Sequence, residues 1–276
     1  MTAAEIALAP KAELHWRKTA GAIGVTGLVA LAMLAGIARF IAPFARGALQ
    51  TGVPLSHPDA AHLFGTDLLG RDIWSETLYG LGLTMSDAGI GFLVVVAAGT
   101  IAGFLGGHAL GRAGIAVRIG VDVLISIPAL LSAILISVLL GQGHAAIAAG
   151  LAAAPAAFAR AYDRARTHKA APYADFARAT GVDGFALFQR DLVCEMRDAL
   201  LPIAARAFAA VTITLATMSF FGFGAVAPAR DLGLLIAANQ SALPAAWWTA
   251  AFPAAVLALL ILCARLAAGL SGGERP

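Results

Sequence analysis

Six apolar runs divide this chain, and they leave it almost no choice of secondary structure. They cover about Ala20–Ile41, Ser86–Gly107, Ile119–Leu140, Ala145–Ala159, Ala199–Phe221 and Ala246–Ala264. A helix rising about 1.5 Å per residue needs ~20 apolar residues to cross ~30 Å of hydrocarbon. An open strand at that depth would leave backbone N–H and C=O groups without partners, so such runs must be helical. The 276 residues are 60% hydrophobic and only 13% charged, where a soluble domain carries about 25% charged residues. The chain therefore reads as an all-α polytopic membrane protein with about six transmembrane helices. Residues 1–19 form an N-terminal segment, and residues 20–276 form one membrane domain. The first run is too long for a signal-peptide core of roughly 7–15 residues and is read as a retained span.

Charge gives the expected orientation. Of the 19 Lys and Arg, only Arg39, Arg46, Arg71 and Arg230 fall on one side of this six-span layout. The remainder cluster before the first run, between the second and third, between the fourth and fifth, and after the sixth. Positive charge collects in cytoplasmic loops, which puts both termini in the cytoplasm. The basic pI of 9.2 thus belongs to membrane topology and calls for no nucleic acid. Trp74, Trp247 and Trp248 are expected in an interfacial aromatic belt on the outer side.

Two segments outside the runs are long enough to fold: an outer one, 42–85, and a cytoplasmic one, 160–198. The outer one holds Phe64-Gly65-Thr66-Asp67-Leu68-Leu69-Gly70-Arg71-Asp72, a polar, turn-forming, charge-balanced island that lipid does not require. The cytoplasmic one holds Pro172-Tyr173-Ala174-Asp175-Phe176-Ala177-Arg178-Ala179-Thr180-Gly181. A proline at its start and a glycine at its end mark a short helix, and Asp175 and Arg178 complement its dipole. So short a helix is marginal alone in water and needs a surface to dock on.

Other features carry weaker signals. The three lysines, Lys11, Lys18 and Lys169, complete no phosphate-binding GxxxxGK[ST] loop, so any ATP would have to be hydrolysed on another polypeptide. Cys194 and Cys263 match no metal or redox spacing; Cys263 reads as a small buried hydrophobe. His57 and His62 flank the outer island, yet none of the six histidines forms a metal-spaced pair. Asp87 and Asp122, placed near span ends, are poor candidates for the midplane charge of an ion-coupled transporter. Arg118 and Asp122 share a helix face and are expected to pair, and Pro128 should bend the third span. Asp122, Pro128, Thr214, Thr217 and Ser219 are the pore or gate candidates. Gly99, Gly103 and Gly107 form one stripe, expected to seat another helix of the same chain.

Gly65-Thr66-Asp67-Leu68-Leu69-Gly70-Arg71-Asp72 resembles, at every defined position, the signature of the second permease subunit of dipeptide/oligopeptide/nickel ABC importers. Asp122 and Pro128 resemble that family's D-x5-P in the third span. Ser219-Phe220-Phe221-Gly222-Phe223-Gly224 resembles its SFLGLG, with Leu232 where a tryptophan is usual. Asp175-Phe176-Ala177 and Gly181 resemble the EAA loop. There Asp replaces Glu, Phe176 replaces Ala, and Cys194 stands where proline is expected.

The resemblance implies a type I importer permease fold in the bacterial inner membrane, with no catalysis, cofactor or metal of its own. It implies four kinds of partner: a homologous permease forming the other half of a pore, two cytoplasmic ABC ATPase subunits, an extracytoplasmic solute-binding protein, and the lipid bilayer. It assigns ATPase coupling to Asp175, Phe176, Ala177, Arg178 and Gly181. It assigns the outer motif to Gly65, Thr66, Asp67, Gly70, Arg71 and Asp72, more as a structural pin than as a substrate ligand. The implied cargo is a peptide or a nickel chelate, and residues 55–62 lean slightly toward the nickel branch. The alternatives are a self-contained secondary transporter and a degenerate, non-transporting membrane partner.

Overall fold

The computed structural model describes residues 3–111, 113–141, 143–169, 189, 204–226 and 228–270. Helices dominate, and among the described residues the only β pairing is an isolated bridge between Thr66 and Asp72. Helix α1 is Ala3–Ile41, α2 is Ile73–Val94 and α3 is Ala102–Ala109, joined to α2 by a π-helical stretch, Val95–Ile101. Next come α4 (Ala113–Ser126), α5 (Ala129–Leu140) and α6 (Ala145–Lys169). Helix α7 is Ala204–Phe220. Helix α8 is Leu232–Asn239 and α9 is Trp248–Ala267.

Four stretches are long and apolar enough to span a membrane: Thr19–Ile41, Ile73–Ala109, Ala145–Thr167 and Trp248–Ala267. The pair α4 and α5 forms a fifth, broken one, and α7 is a shorter apolar helix of the fifth expected run. The protein is thus an all-α, multi-pass membrane protein.

Three boundaries differ from the sequence reading. The second span starts at Ile73, not Ser86, so the outer segment without long helices is 42–72. At 37 residues this helix is about 55 Å long, more than the hydrocarbon needs. Ile73, Leu78 and Leu81 in its first turns are buried. Asp87 becomes its fifteenth residue rather than a span end. The third span starts at Ala113, so Asp122 lies nearer the break than the helix start. The fourth, read as ending at Ala159, continues to Lys169.

The third span is bent by 94° at Pro128, sharper than the kink expected. Proline lacks an N–H and its ring excludes the carbonyl one turn earlier. It also biases Ile127 away from helical backbone. Helix α5 restarts with Pro128 as its N-cap residue.

Alanine-rich α6 is the central helix. Ala148, Ala149 and Ala157 join Val95, Ala133, Val211, Leu215 and Met218 in one core. A second core joins Leu31, Leu81, Leu232, Leu260 and Cys263, so Cys263 is the buried hydrophobe expected. In lipid, apolarity alone does not draw helices together, and small residues that admit close backbone contact do. The glycine stripe meets α6 as the sequence suggested. A Cβ at Gly99 would lie 2.8 Å from the Ala154 carbonyl oxygen, and one at Gly107 would lie 2.7 Å from that of Tyr162. At Gly103 a Cβ would run into the Phe158 backbone. Gly103→Ala is therefore expected to cost about 1–3 kcal/mol by overpacking. Gly89→Ala, with open space at its Cβ, should melt like the wild type. Thermal unfolding in detergent compares the two, and equal melting would remove the close crossing from the account.

The SFLGLG-like stretch closes α7. Gly222 has φ +84°. Its N–H donates to the Ser219 carbonyl (3.0 Å), and the Phe223 N–H donates to the Met218 carbonyl (2.9 Å). These are the paired bonds of a Schellman C-cap, which puts glycine at the left-handed position.

Candidate functional site

The outer island folds into a closed hydrogen-bonded loop ahead of α2. Asp67 organises it: its Oδ1 accepts from the N–H groups of Leu69 (2.8 Å) and Arg71 (2.9 Å). Its Oδ2 accepts from Arg71 Nε at 2.8 Å. The pair is buried, with side chains only 9% (Arg71) and 3% (Asp67) exposed. Thr66 ties the loop to the turn at residues 53–56 before it. Its N–H donates to the Ser56 carbonyl (3.1 Å), and its Oγ1 accepts from the Ser56 N–H (2.9 Å). Gly70 accepts at its carbonyl from Thr51 N–H (2.8 Å) and Gly52 N–H (3.2 Å).

Glycine is required at both ends of the motif. Gly65 has φ +70° and Gly70 φ +67°, left-handed conformations that disfavour a Cβ. A Cβ at Gly65 would also lie 2.5 Å from the Ser56 carbonyl oxygen, and one at Gly70 2.5 Å from that of Gly52.

Asp72 hands the loop on to the membrane helix as the N-cap of α2. Its Oδ2 accepts from Ser75 N–H (2.8 Å) and Ser75 Oγ (2.6 Å). Its Oδ1 lies 3.0 Å from His62 Nδ1, and His62 stacks on Phe44. Capping satisfies N–H groups that a helix start leaves without partners. Glu76 on the next turn accepts from the Gly47 N–H at 2.6 Å. Aromatic contacts complete the seat: Phe64 stacks on Phe252 of α9 and meets Trp74 edge-on, while His57 lies against Trp248. Trp248 is buried at 3% exposure, whereas Trp247 is 60% exposed. Among the described residues no cluster of three metal-ligating side chains occurs.

Arg230 adds a cation beside this loop. Burial, then the neighbouring Arg71 charge, hold its guanidinium below the ordinary value, opposed by Glu76 and Asp67. Next to it, Asp231 caps α8: Oδ1 accepts from Leu234 N–H at 2.8 Å, and Oδ2 accepts from Ser219 Oγ. Burial pushes this carboxyl up, and its hydrogen bonds pull it back. Leu232 N–H donates to Thr84 Oγ1 of α2 at 3.0 Å. Sequence reasoning missed Asp231, although Asp-Leu-Gly-Leu-Leu carries the helix-start signal of an acidic residue before an apolar run.

The pore candidates lie on separate elements. Asp122 and Pro128 sit on the broken span, and Asp122 pairs with Arg118 as expected. Thr217 Oγ1 donates to the Ile213 carbonyl of its own helix at 2.8 Å. Thr214 is half-buried on α7, and Ser219 is buried against Asp231. The coupling candidates Asp175, Phe176, Ala177, Arg178 and Gly181 lie outside the described residues, as does Cys194.

Comparison with known proteins covers nearly the whole chain. The probable D,D-dipeptide transport system permease protein of Escherichia coli K12 is 28% identical over 259 residues, 90% of this chain and 85% of the relative. The glutathione transport system permease protein of Pectobacterium atrosepticum is 28% identical over 212 residues, 76% of this chain and 70% of the relative. The dipeptide transport system permease protein of Haemophilus influenzae is 25% identical over 286 residues, 96% of this chain and 95% of the relative. No protein-family model matches.

Proposed function

We infer that this chain, a homologue of the permease proteins of peptide ABC importers, forms half of the translocation pore of an ATP-driven importer for peptides or related small solutes. The observation that carries the reading is similarity running almost end to end with permeases of dipeptide transport systems, and over 76% of the chain with one of a glutathione transport system, on a chain with no phosphate-binding loop of its own.

In this reading a second, homologous permease covers the apolar surface left exposed on α4 and α5, where Val123, Leu131, Leu135 and Val138 face outward. Of two cytoplasmic ATPase subunits, one receives the Asp175–Gly181 segment in a cleft, and an extracytoplasmic binding protein delivers the solute. The protein lies in the bacterial inner membrane with both ends in the cytoplasm. ATP binding moves the docked helix and turns the pore outward; hydrolysis resets it. Coupling of this kind requires an element with two positions, each favoured by a different nucleotide state. The outer motif acts as a latch. Its polar groups are spent on one another, and they fix the start of α2 rather than face a solute.

Mild-detergent co-purification of the tagged chain from its native membrane, with partners identified by mass spectrometry, tests the reading. Recovery of a second permease and an ATPase with a phosphate-binding loop is the expected result. Recovery of this chain alone under crosslinking would overturn it.

A further inference from the structure

Helix α4 is held differently from its neighbours. Gly114 is its one buried residue among those described, and no α4 residue belongs to an apolar core, whereas Ala133 of α5 does. Ile115, Ile119, Val123 and Leu124 are all exposed. Two contacts with α6 fasten α4. At Gly114 the backbone rests on Tyr162, and a Cβ there would lie 3.1 Å from the ring. One turn on, Arg118 makes a two-pronged bond to Asp163, Nε to Oδ1 at 3.1 Å and Nη2 to Oδ2 at 3.0 Å. Its Nη1 turns back to Asp122. The planar guanidinium fork thus fixes direction as well as distance.

Helix α6 continues for six residues beyond Asp163, to Lys169, within the 160–198 segment and just ahead of the coupling residues. Its last turns also grip the α3–α4 corner, with Arg166 Nη1 3.2 Å from the Gly111 carbonyl and Lys169 Nζ 2.8 Å from that of His108. At its other end α4 meets the break at Pro128. It is therefore a lever, hinged at the proline and strapped near its start to the helix that feeds the coupling segment.

We propose that the Arg118–Asp163 bond is the strap through which the cytoplasmic segment moves the broken span, which makes Arg118 and Asp163 positioning residues for transport. The coupling role rests on the importer reading. The Asp163 side chain is 57% exposed and that of Arg118 24% exposed, and pairs of this kind contribute little to stability. Loss of the strap should therefore appear in coupling rather than in melting.

Two measurements test it. In the reconstituted complex, Arg118→Gln and Asp163→Asn should each keep ATPase turnover within about twofold, while solute imported per ATP falls at least about tenfold, a loss of ~1.4 kcal/mol in coupling. Arg118→Glu combined with Asp163→Arg should restore most of that ratio. An unchanged ratio in the single variants, or no recovery in the exchanged pair, overturns the proposal. In the chain alone in lipid nanodiscs, with Cys194 and Cys263 replaced by Ala, spin labels at Val123 and Thr167 report the α4–α6 distance. The native pair should give one narrow distance, and Arg118→Gln should broaden it. A distance that does not change removes the strap whatever the function. A broadened distance in a chain that recruits no ATPase defeats the importer reading, and the coupling role with it.

Discussion

Asp67→Ala is expected to unlatch the outer segment and destabilise the protein by about 3–5 kcal/mol, the usual consequence of removing one partner of a buried ion pair. The side chain serves three donors at once, the N–H groups of Leu69 and Arg71 and the Arg71 Nε. Its loss leaves the Arg71 guanidinium buried beside Arg230, a second cation whose charged form burial and the Arg71 charge already disfavour. Two like charges then share a site whose main local counter-charge is Glu76. Asp67→Asn should cost less, because an amide oxygen still accepts from the backbone. Combining Asp67→Ala with Arg71→Leu should recover part of the loss by removing the stranded charge. Thermal melting in detergent, with limited proteolysis of residues 42–72, measures all three. Native melting of Asp67→Ala would show that the loop is held by its glycines and aromatic contacts alone.

Gly181→Arg is expected to abolish ATP-driven uptake while membrane insertion and melting stay near the wild type. The position ends the short helix read from Pro172, where glycine offers the left-handed backbone that closes a helix without a Cβ penalty. That penalty by itself is only about 1–2 kcal/mol. In the proposed coupling the larger effect is steric and electrostatic: a long cation at the tip of the segment proposed to enter a cleft on an ATPase. Asp175→Ala, which removes a favourable charge from the first turn worth about 0.3–1 kcal/mol, should weaken uptake rather than end it. Uptake in reconstituted vesicles, with expression and melting as controls, checks both. Undiminished transport by Gly181→Arg would sink the coupling assignment.

Much of the local structure was legible because it depends on neighbours in the chain. Pro128 announced a break, and Gly65 and Gly70 announced turns. Hydropathy alone placed the start of α2 thirteen residues too late. The polar residues Ser75, Glu76, Thr77 and Thr84 lowered the apolar signal over Ile73–Met85, yet each is buried. Long-range partners left no trace that a single sequence carries. Arg118 meets Asp163 forty-five positions away, Ser219 gives its hydroxyl to Asp231, and the Thr84 hydroxyl receives the Leu232 N–H across 148 positions.

The sequence by itself determined that this is a helical membrane protein, where its turns fall, and that it has no phosphate-binding loop. Those conclusions follow from backbone satisfaction in lipid, from left-handed turn geometry and from residue spacing. Only the tertiary structure decided which helix is central and which faces stay open. The alanine-rich stretch Ala145–Thr167 of α6, with mean hydropathy 1.3 against 2.2 for Ile73–Ala109, is 50% buried across its most apolar part, whereas the more apolar Thr19–Ile41 is 17% buried. In hydrocarbon an apolar surface is equally at home against lipid or protein. The choice falls to small residues that let backbones touch, and to the few polar groups that find partners across the fold.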